Sequence, residues 1–409
     1  MKKHNILYFT SYPLDSNDGG VMAILNDLSQ ISQIDNINLY VVIICKAEQQ
    51  EKTTIKLNNL NINYSFISPN FSSKKQQKIF KKVFYKILNR VSFWQEMDTR
   101  FHFQDQVEEI SKYLTNLCKI LSIEIIIFQQ LYSVLWFKNF PDFKQKKIYL
   151  AFDKEAELFK YLTKNKNSKL FNLYNFIAYL RVKYFEKNIC NISNKCIFMS
   201  KADIPKYLLS NKSNKTILVN SPIFSPKIIP WNYTNSEIVL FAGNINYYPN
   251  FLAVKWLISE FSPQLLKLNN KIKIVITGTN YSDMPKDWSI ENNVHIAGFI
   301  PQEQLEKLFQ TSDMFICPID NDFSVKMKLV ECVSYGLPFF ATQPCLNALP
   351  YLSDFPILDT DKPDEAAAYI CDTLSKKEVL EKLNKQILED AFNFNKTRKD
   401  WWKKAILDT

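Results

Sequence analysis

Short apolar runs alternate with longer amphipathic segments along the chain, which is the pattern of repeated strand–helix units. The apolar runs predict strands at 5–10, 38–45, 64–68, 124–128, 147–152, 195–200, 216–220, 237–242, 273–277, 294–297, 314–317, 338–342 and 356–358. Helical periodicity is found at 20–32, 75–90, 104–121, 170–188, 202–209, 250–268, 302–311, 325–335, 363–374 and 377–391. The predicted fold class is therefore α/β, with mostly parallel sheets.

The chain of 409 residues is long enough for two domains. Residues 221–236 hold three prolines and show no periodicity, so they mark the boundary. We expect an N-terminal Rossmann-like domain over 1–221, a linker at 222–236 and a second Rossmann-like domain over 237–392. Residues 393–409 are predicted to form a C-terminal helix that returns to the first domain.

Charge and cysteine usage exclude several classes of protein. The net charge is +10, but residues 72–100 supply +6 of it, so the rest is only mildly basic and a nucleic-acid partner is not expected. The eight cysteines form no C-x-x-C and most lie in apolar runs, which indicates buried thiols in a reducing compartment. With three histidines, we also expect no metal centre. No uninterrupted apolar stretch reaches 18 residues, so we expect a cytoplasmic protein.

Glycine is rare, with six in the whole chain, and five of the six follow predicted strands. These five are Gly19, Gly20, Gly243, Gly278 and Gly298. Ligands of open α/β sheets bind beyond the carboxyl ends of strands, where glycine lets backbone N–H groups approach a phosphate. The alternative is that these glycines only form tight turns. The sixth, Gly336, is placed as a helix C-cap.

A helix predicted after the strand at 314–317 begins with two cations. Lys326 and Lys328 open it, and Glu331 follows three residues after Lys328. Cations at a helix N-terminus favour an anion such as a diphosphate, and a carboxylate one turn deeper can accept hydrogen bonds from ribose hydroxyls. The alternative is an ordinary surface pair between Lys328 and Glu331.

The second half resembles glycosyltransferase family 4, in the branch with the signature P-x3-G-x-G-x-K-x-K-x2-E. Pro318, Lys326, Lys328 and Glu331 match that spacing. FAGNINYYPN at 241–250, IVITGTN at 274–280 and VHIAGF at 294–299 follow the family order. The likeness continues more weakly in the first half, through the Gly19–Gly20 loop, AFDKEAE at 151–157 and LRVKYFEKNI at 180–189.

This resemblance implies a GT-B fold, in which two Rossmann-like domains face a cleft. It implies a nucleotide-diphosphate sugar as donor, bound mainly by the C-terminal domain, with no further cofactor and no metal. Lys326 would bind the diphosphate, with Lys328 second, and Glu331 would bind the ribose. Gly243, Asn244, Gly19 and Gly20 would complete the donor site. Asp153 would face the cleft from the N-terminal domain and, with Lys326, take part in a retaining transfer.

Three positions of the signature segment depart from the family pattern, and the first helix has Met22 and Ala23 where the family often has an arginine. Asp322 and Ser324 stand where the signature has glycines, and Phe323 stands where the family commonly has a second glutamate. An acidic Asp322 beside a diphosphate is unfavourable unless it points away or pairs with a lysine. A catalytically silent GT-B subunit of a glycosylation complex is therefore the main alternative, and a GT-B sugar-nucleotide epimerase is a third.

Residues 75–90 predict a basic amphipathic helix, with an apolar stripe between lysines. Such a helix suits an anionic membrane surface, where lipid-linked acceptors are found. The alternative is a helix whose apolar stripe faces the core. We expect a glycan, lipid-linked or protein acceptor, in bacterial surface polysaccharide or glycoprotein synthesis, and a protein peripheral to the inner face of the membrane.

Overall fold

The computed structural model describes residues 3–408 except 17, 69–103, 137–142, 153, 158–159, 161–168, 210–215, 223–224, 287, 323, 353–354 and 399. The chain divides into two compact units. One comprises Met1–Asn220 together with Trp402–Thr409, and the other comprises Ser221–Trp401. Each unit is built around one sheet of parallel strands, so the predicted α/β class is confirmed.

The first unit contains a seven-stranded sheet. Its strands are β1 (His4–Thr10), β2 (Ile37–Ile44), β3 (Asn63–Ile67), β4 (Ile125–Gln129), β5 (Lys146–Ala151), β6 (Lys195–Phe198) and β7 (Thr216–Val219). Their order in the sheet is β3-β2-β1-β4-β5-β6-β7, with neighbours parallel. Its helices are α1 (Gly19–Ser32), α2 (Ala47–Asn58), α3 (Gln104–Ile120), α4 (Gln130–Val134) and α5 (Lys169–Ile192).

The second unit repeats this order with six strands. They are β8 (Ile238–Ala242), β9 (Lys273–Thr277), β10 (Val294–Gly298), β11 (Met314–Cys317), β12 (Phe339–Thr342) and β13 (Ile357–Leu358), arranged β10-β9-β8-β11-β12-β13. In both units the first strand lies at the centre, and the chain order reverses beside it. This is the switch point at which doubly wound sheets bind ligands.

The helices of the second unit follow its strands. They are α6 (Tyr248–Trp256), α7 (Ser262–Leu268), α8 (Gln302–Thr311), α9 (Met327–Tyr335), α10 (Gln343–Asn347), α11 (Pro363–Leu374) and α12 (Lys377–Arg398), and α13 (Trp401–Leu407) follows at the chain end. Gly336 ends α9 with φ +75°, so the predicted left-handed C-cap is confirmed.

The segment predicted as a linker, 222–236, makes regular contacts within the second unit. The Lys227 backbone N–H donates to the Ser334 carbonyl at 3.0 Å, and the Trp231 N–H donates to the Tyr335 carbonyl at 2.7 Å. The buried Trp231 indole also donates to the Ser312 carbonyl at 2.7 Å. The prolines therefore interrupt the hydrophobic periodicity of the segment, but its described residues are still hydrogen-bonded to the second unit. At the other end of the chain, residues 402–409 belong to the first unit.

Two predicted helices are interrupted, and both interruptions occur at proline. Residues 202–209 form two short 3-10 turns, Lys201–Asp203 and Lys206–Leu208, on either side of Pro205. The segment 250–268 is divided by a π-helical turn at Leu257–Phe261, just before Pro263. Proline has no N–H to continue the α-helical ladder, so the hydrogen-bond pattern shifts at these positions.

All eight cysteines are free, and all except Cys371 are buried, which confirms the prediction of buried thiols. Among the described residues, no helix is both long enough and apolar enough to cross a membrane.

Candidate active site

Two loops meet at one edge of the second sheet. One follows β8 and begins at Gly243, and the other follows β11 and leads into α9. Because β8 and β11 are adjacent parallel strands, their carboxyl ends lie side by side. The loop residues that the sequence singled out therefore approach each other from two parts of the chain.

Lys328 is the second residue of α9 and the main candidate at this edge of the sheet for binding an anion. Its Nζ donates a hydrogen bond to Asn250 Oδ1 at 2.7 Å and lies 4.4 Å from the centre of the Phe241 ring. Burial is the main cause that lowers the pKa of Lys328 to about 8. The ammonium is thus poorly hydrated, and a bound anion would stabilise it.

Gly243 lies directly against the hydrogen-bonded side chains of Lys328 and Asn250. A Cβ atom at Gly243 would come within 2.8 Å of Asn250 Cγ and 2.9 Å of Lys328 Nζ. Real Cβ atoms essentially never approach other atoms this closely, so any side chain at this position would displace Asn250 and Lys328. The reason is the close approach of the backbone to the Lys328 ammonium.

Asn250, which the sequence analysis did not assign to the site, links the two loops. Its Nδ2 donates to the Asn244 carbonyl at 2.9 Å, while its Oδ1 accepts from Lys328. Thr279 also holds the turn, donating to the Gly243 carbonyl at 2.8 Å and accepting from the Ile245 N–H at 2.9 Å. The signals for Asn250 were its position in the family-like segment 241–250 and its polar side chain in the first turn of a largely apolar helix.

Lys326 is buried and lies at the N-cap position of α9. Its Nζ donates to Asn321 Oδ1 at 2.9 Å. Burial raises the pKa of the Cys317 thiol, but its hydrogen bond to Cys345 and the charges of Lys328 and Lys326 lower it further than burial raises it. Both ammonium groups therefore lie near the end of β11, where the helix N-terminus also favours an anion.

Glu331 lies in a different electrostatic setting from the two lysines. Burial raises the pKa of its carboxyl group; Lys227 opposes this shift and Glu306 adds to it. The Lys328 ammonium is held by Asn250, so the simple Lys328–Glu331 surface pair is not the contact that forms. Lys227, which the sequence analysis did not single out, is the cation that acts on Glu331.

The loop before α9 keeps a glycine-like backbone without glycine. Ser324 has φ +55°, in the left-handed region that L-residues rarely adopt. Asp322, at the other substituted position, is exposed, and Phe323 lies outside the described residues. Position 324, where the signature has a glycine, thus has a backbone conformation that favours glycine although a serine stands there.

This geometry predicts that Ser324→Gly is more stable than Ser324→Ala by about 0.5–1 kcal/mol, because both variants lose the hydroxyl and its contacts but only glycine adopts positive φ without the Cβ penalty. Chemical denaturation should show a higher midpoint for the glycine variant with an unchanged slope. The matched control is the same pair of substitutions at Ser259 in the helical turn Leu257–Phe261, where the glycine variant should be the less stable of the two. A glycine variant that is no more stable than the alanine variant at position 324 would contradict the interpretation.

The predicted residues of the first unit are only partly described. Gly19 and Gly20 begin α1, whose first turn is capped by the Asp18 carboxylate accepting from the Val21 N–H at 3.0 Å. Asp18 also accepts from the Tyr12 hydroxyl at 3.0 Å. A protein carboxylate therefore occupies part of this helix N-terminus. Asp153 and the basic segment 75–90 lie outside the described residues.

The fold is that of the GT-B glycosyltransferases. The crystal structure of TarM superposes with a TM-score of 0.67 at 12% identity, covering 96% of each chain. Sucrose-phosphate synthase from Thermosynechococcus elongatus superposes with a TM-score of 0.61 at 11% identity, covering 98% of this chain and all of the other. At these identities the likeness defines the fold alone.

Residues 236–376 match the family model described as Glycosyl transferases group 1. The matched region contains β8, β11, the two lysines and Glu331. Together with the fold, the match supports a glycosyltransferase. An uncharacterized 44.6 kDa protein in the cps region of Klebsiella pneumoniae is 26% identical over 215 residues. The aligned part is 50% of this chain and spans about half, 53%, of that protein.

Proposed function

We propose that this chain transfers a glycosyl group from a nucleotide-diphosphate sugar to a glycan, lipid-linked or protein acceptor, and that it belongs to glycosyltransferase family 4. The diphosphate binds at the end of β11, against Lys328 and Lys326. The observation that carries this proposal is the position of the Lys328 ammonium, 2.7 Å from Asn250 Oδ1 and beside the bare backbone of Gly243.

The chemistry of the reaction explains why cations are placed there. Breaking the bond between sugar and diphosphate leaves negative charge on the departing phosphate. Fixed ammonium groups stabilise that charge in a poorly hydrated site more than they do in water. We propose that Lys328 and Lys326 supply this stabilisation without a metal ion or further cofactor. We also propose that transfer retains the anomeric configuration, with Asp153 contributing from the first unit.

We assign Glu331 to the ribose of the nucleotide. Burial raises the pKa of this carboxyl group, and Lys227 favours its ionised form, in which it accepts hydrogen bonds from two hydroxyls. Gly243 and Asn244 would contact the phosphate region through the turn held by Thr279. Gly19 and Gly20 would complete the donor site, in competition with the Asp18 cap.

We place the reaction in bacterial surface polysaccharide synthesis, at the cytoplasmic face of the membrane. The Klebsiella pneumoniae relative is named for a cps region, which agrees with polysaccharide synthesis. A lipid-linked acceptor would bring the enzyme to a membrane surface, and residues 75–90 have the composition for such contact.

The direct test is titration of the purified protein with UDP-, GDP- and other nucleotide-diphosphate sugars, followed by calorimetry. We expect saturable binding of one nucleotide class, and release of the nucleoside diphosphate when acceptor is added. A nucleotide with a matched base but a 2′-deoxyribose should bind more weakly if Glu331 contacts the ribose. Absence of binding across the whole panel would contradict the proposal.

The second candidate is a catalytically silent subunit, and the signature loop favours it. Ser324 stands in a left-handed conformation and Asp322 is an exposed acid in a loop that would cradle a diphosphate. If this candidate is correct, the chain binds no donor and increases the activity of a partner transferase. An epimerase would instead convert the donor without any acceptor.

A further inference from the structure

Helix α5 presents an exposed apolar stripe in the first unit. Its five side chains recur at the i, i+3, i+4, i+7 and i+11 positions of one helical face. They are Leu173 (57% exposed), Phe176 (49%), Ile177 (43%), Leu180 (48%) and Tyr184 (70%). A contiguous stripe of this kind differs from the scattered apolar residues of an ordinary surface and marks an interaction site.

The opposite face of α5 already supplies the contacts that hold the helix in the fold. Val182, Ile189 and Cys190 are buried in the core of the first unit. Packing therefore does not require the exposed stripe to be apolar. Its composition needs a separate explanation.

Charge on α5 indicates what covers the stripe. Lys183 and Lys187 are exposed and lie along one border, and Arg181 lies on the other side. The only acidic residue in the helix, Glu186, is buried on the core side. The exposed face thus combines apolar side chains with cations and carries no carboxylate of α5. Glu157, which precedes the helix, also acts on Lys183, but it forms an ion pair with Lys160 at 3.5 Å.

We infer that this face of α5 binds the surface of an anionic phospholipid bilayer. The apolar side chains would enter the boundary between head groups and acyl chains, while Lys183 and Lys187 remain at the level of the phosphates. Tyr184 has the apolar body and polar tip that suit this boundary. The inference goes beyond donor binding and does not depend on it.

A second copy of the chain fits this face less well. A symmetric dimer through α5 would bury the lysines beside the stripe without an acidic partner, because the helix offers no exposed carboxylate. A protein partner would need an acidic groove around a convex helical surface. A bilayer supplies both the negative charge and the apolar layer without a specific groove.

The test is co-sedimentation of the full chain with phosphatidylcholine vesicles, with and without phosphatidylglycerol. We expect binding that is at least tenfold tighter to the anionic vesicles, since each lysine near such a surface strengthens binding about fivefold. The double variant Leu173→Gln/Leu180→Gln should bind at least tenfold more weakly. Ile55→Gln/Ile120→Gln is the matched control, because both isoleucines are exposed elsewhere on the same unit.

A second pair of variants tests the charges. Lys183→Gln/Lys187→Gln should lose about tenfold or more in affinity for anionic vesicles and little for neutral ones. Lys112→Gln/Lys119→Gln, at exposed positions of α3, should change neither. Circular dichroism and donor titration of all variants show whether the fold and the donor site remain intact.

Three outcomes would overturn the inference. Vesicle binding that survives both α5 variants would place the membrane contact elsewhere, for example on residues 75–90. Self-association that the α5 variants abolish, without vesicle binding, would identify a second copy as the occupant. Failure to bind either kind of vesicle would leave a protein groove as the alternative.

Discussion

Replacing Lys328 by methionine is expected to weaken donor binding by about 100-fold. Removing one partner of a desolvated charge pair costs about 2–5 kcal/mol, and each 1.4 kcal/mol is a factor of ten in affinity. Methionine keeps an unbranched side chain but removes the ammonium, which lies 4.4 Å from the centre of the Phe241 ring. Calorimetric titration with the nucleotide sugar that the wild-type chain binds would measure the loss.

The matched control is Lys255→Met, on the exposed side of α6. It removes the same charge from the same unit without touching the candidate site, so donor affinity should stay within about twofold of wild type. Lys328→Met should not destabilise the fold, because a poorly hydrated ammonium is costly to bury. Undiminished donor affinity in a folded Lys328→Met variant would contradict the proposed site.

The proposed role of Lys328 also predicts how donor binding depends on pH. Burial lowers the pKa of Lys328 to about 8, so the free protein loses this proton as the pH rises through 8. A diphosphate binds the protonated form and raises its pKa, so affinity should fall above pH 8, by at most about tenfold per pH unit. The Lys328→Met variant should show a flatter profile across this range, and an identical slope would exclude Lys328 as its cause.

Gly243→Ala is expected to disturb both binding and stability. The added Cβ would overlap Asn250 Cγ at 2.8 Å and Lys328 Nζ at 2.9 Å, so the amide and the ammonium must move apart. Overpacking of this kind costs about 1–3 kcal/mol of stability, and displacement of Lys328 should weaken donor binding by about tenfold or more. Thermal unfolding and donor titration measure the two effects separately.

Gly298→Ala is a useful comparison. Gly298 is the last residue of β10 and has φ +74°, but its added Cβ would meet the Asn280 side chain and not the lysine. We expect it to lower stability through backbone strain without a specific loss of donor affinity. If the two variants lose donor affinity equally, the contact between Gly243 and Lys328 is not the cause.

The alternation of apolar runs was enough to predict the described strands, because central parallel strands are nearly continuous apolar sequence. Helix α2 was not predicted, since its sequence AEQQEKTTIKLN buries only Thr53 and Leu57 and has no clear apolar stripe. Residues 202–209 were predicted as one helix, and this prediction was wrong. Their periodicity suggested a helix, but Pro205 limits them to short 3-10 turns.

The candidate site was predictable where one short segment supplied its residues. Lys326 and Lys328 follow a single strand within a few residues of each other, so both belong to the same strand end. The link through Asn250 joins positions that are 78 residues apart, and no local pattern specifies such a contact. The setting of Glu331 depends likewise on Lys227 and Glu306, which come from other parts of the chain.

The stripe on α5 shows a further limit of periodicity. Leu173, Phe176 and Leu180 follow the spacing of a core-facing helix, and sequence alone does not distinguish a buried stripe from an exposed one. The accessible surface of the folded unit makes that distinction.

The partner of Lys328 is a neutral amide, and this has an electrostatic consequence. Asn250 orients the ammonium without cancelling its charge, so an arriving anion meets a cation that is held in a fixed place. An aspartate at this position would convert the same geometry into a closed internal ion pair and would repel the Asn244 carbonyl. The Asn250 amide thus orients the Lys328 ammonium but does not neutralise it, and the bound ligand supplies the neutralising charge.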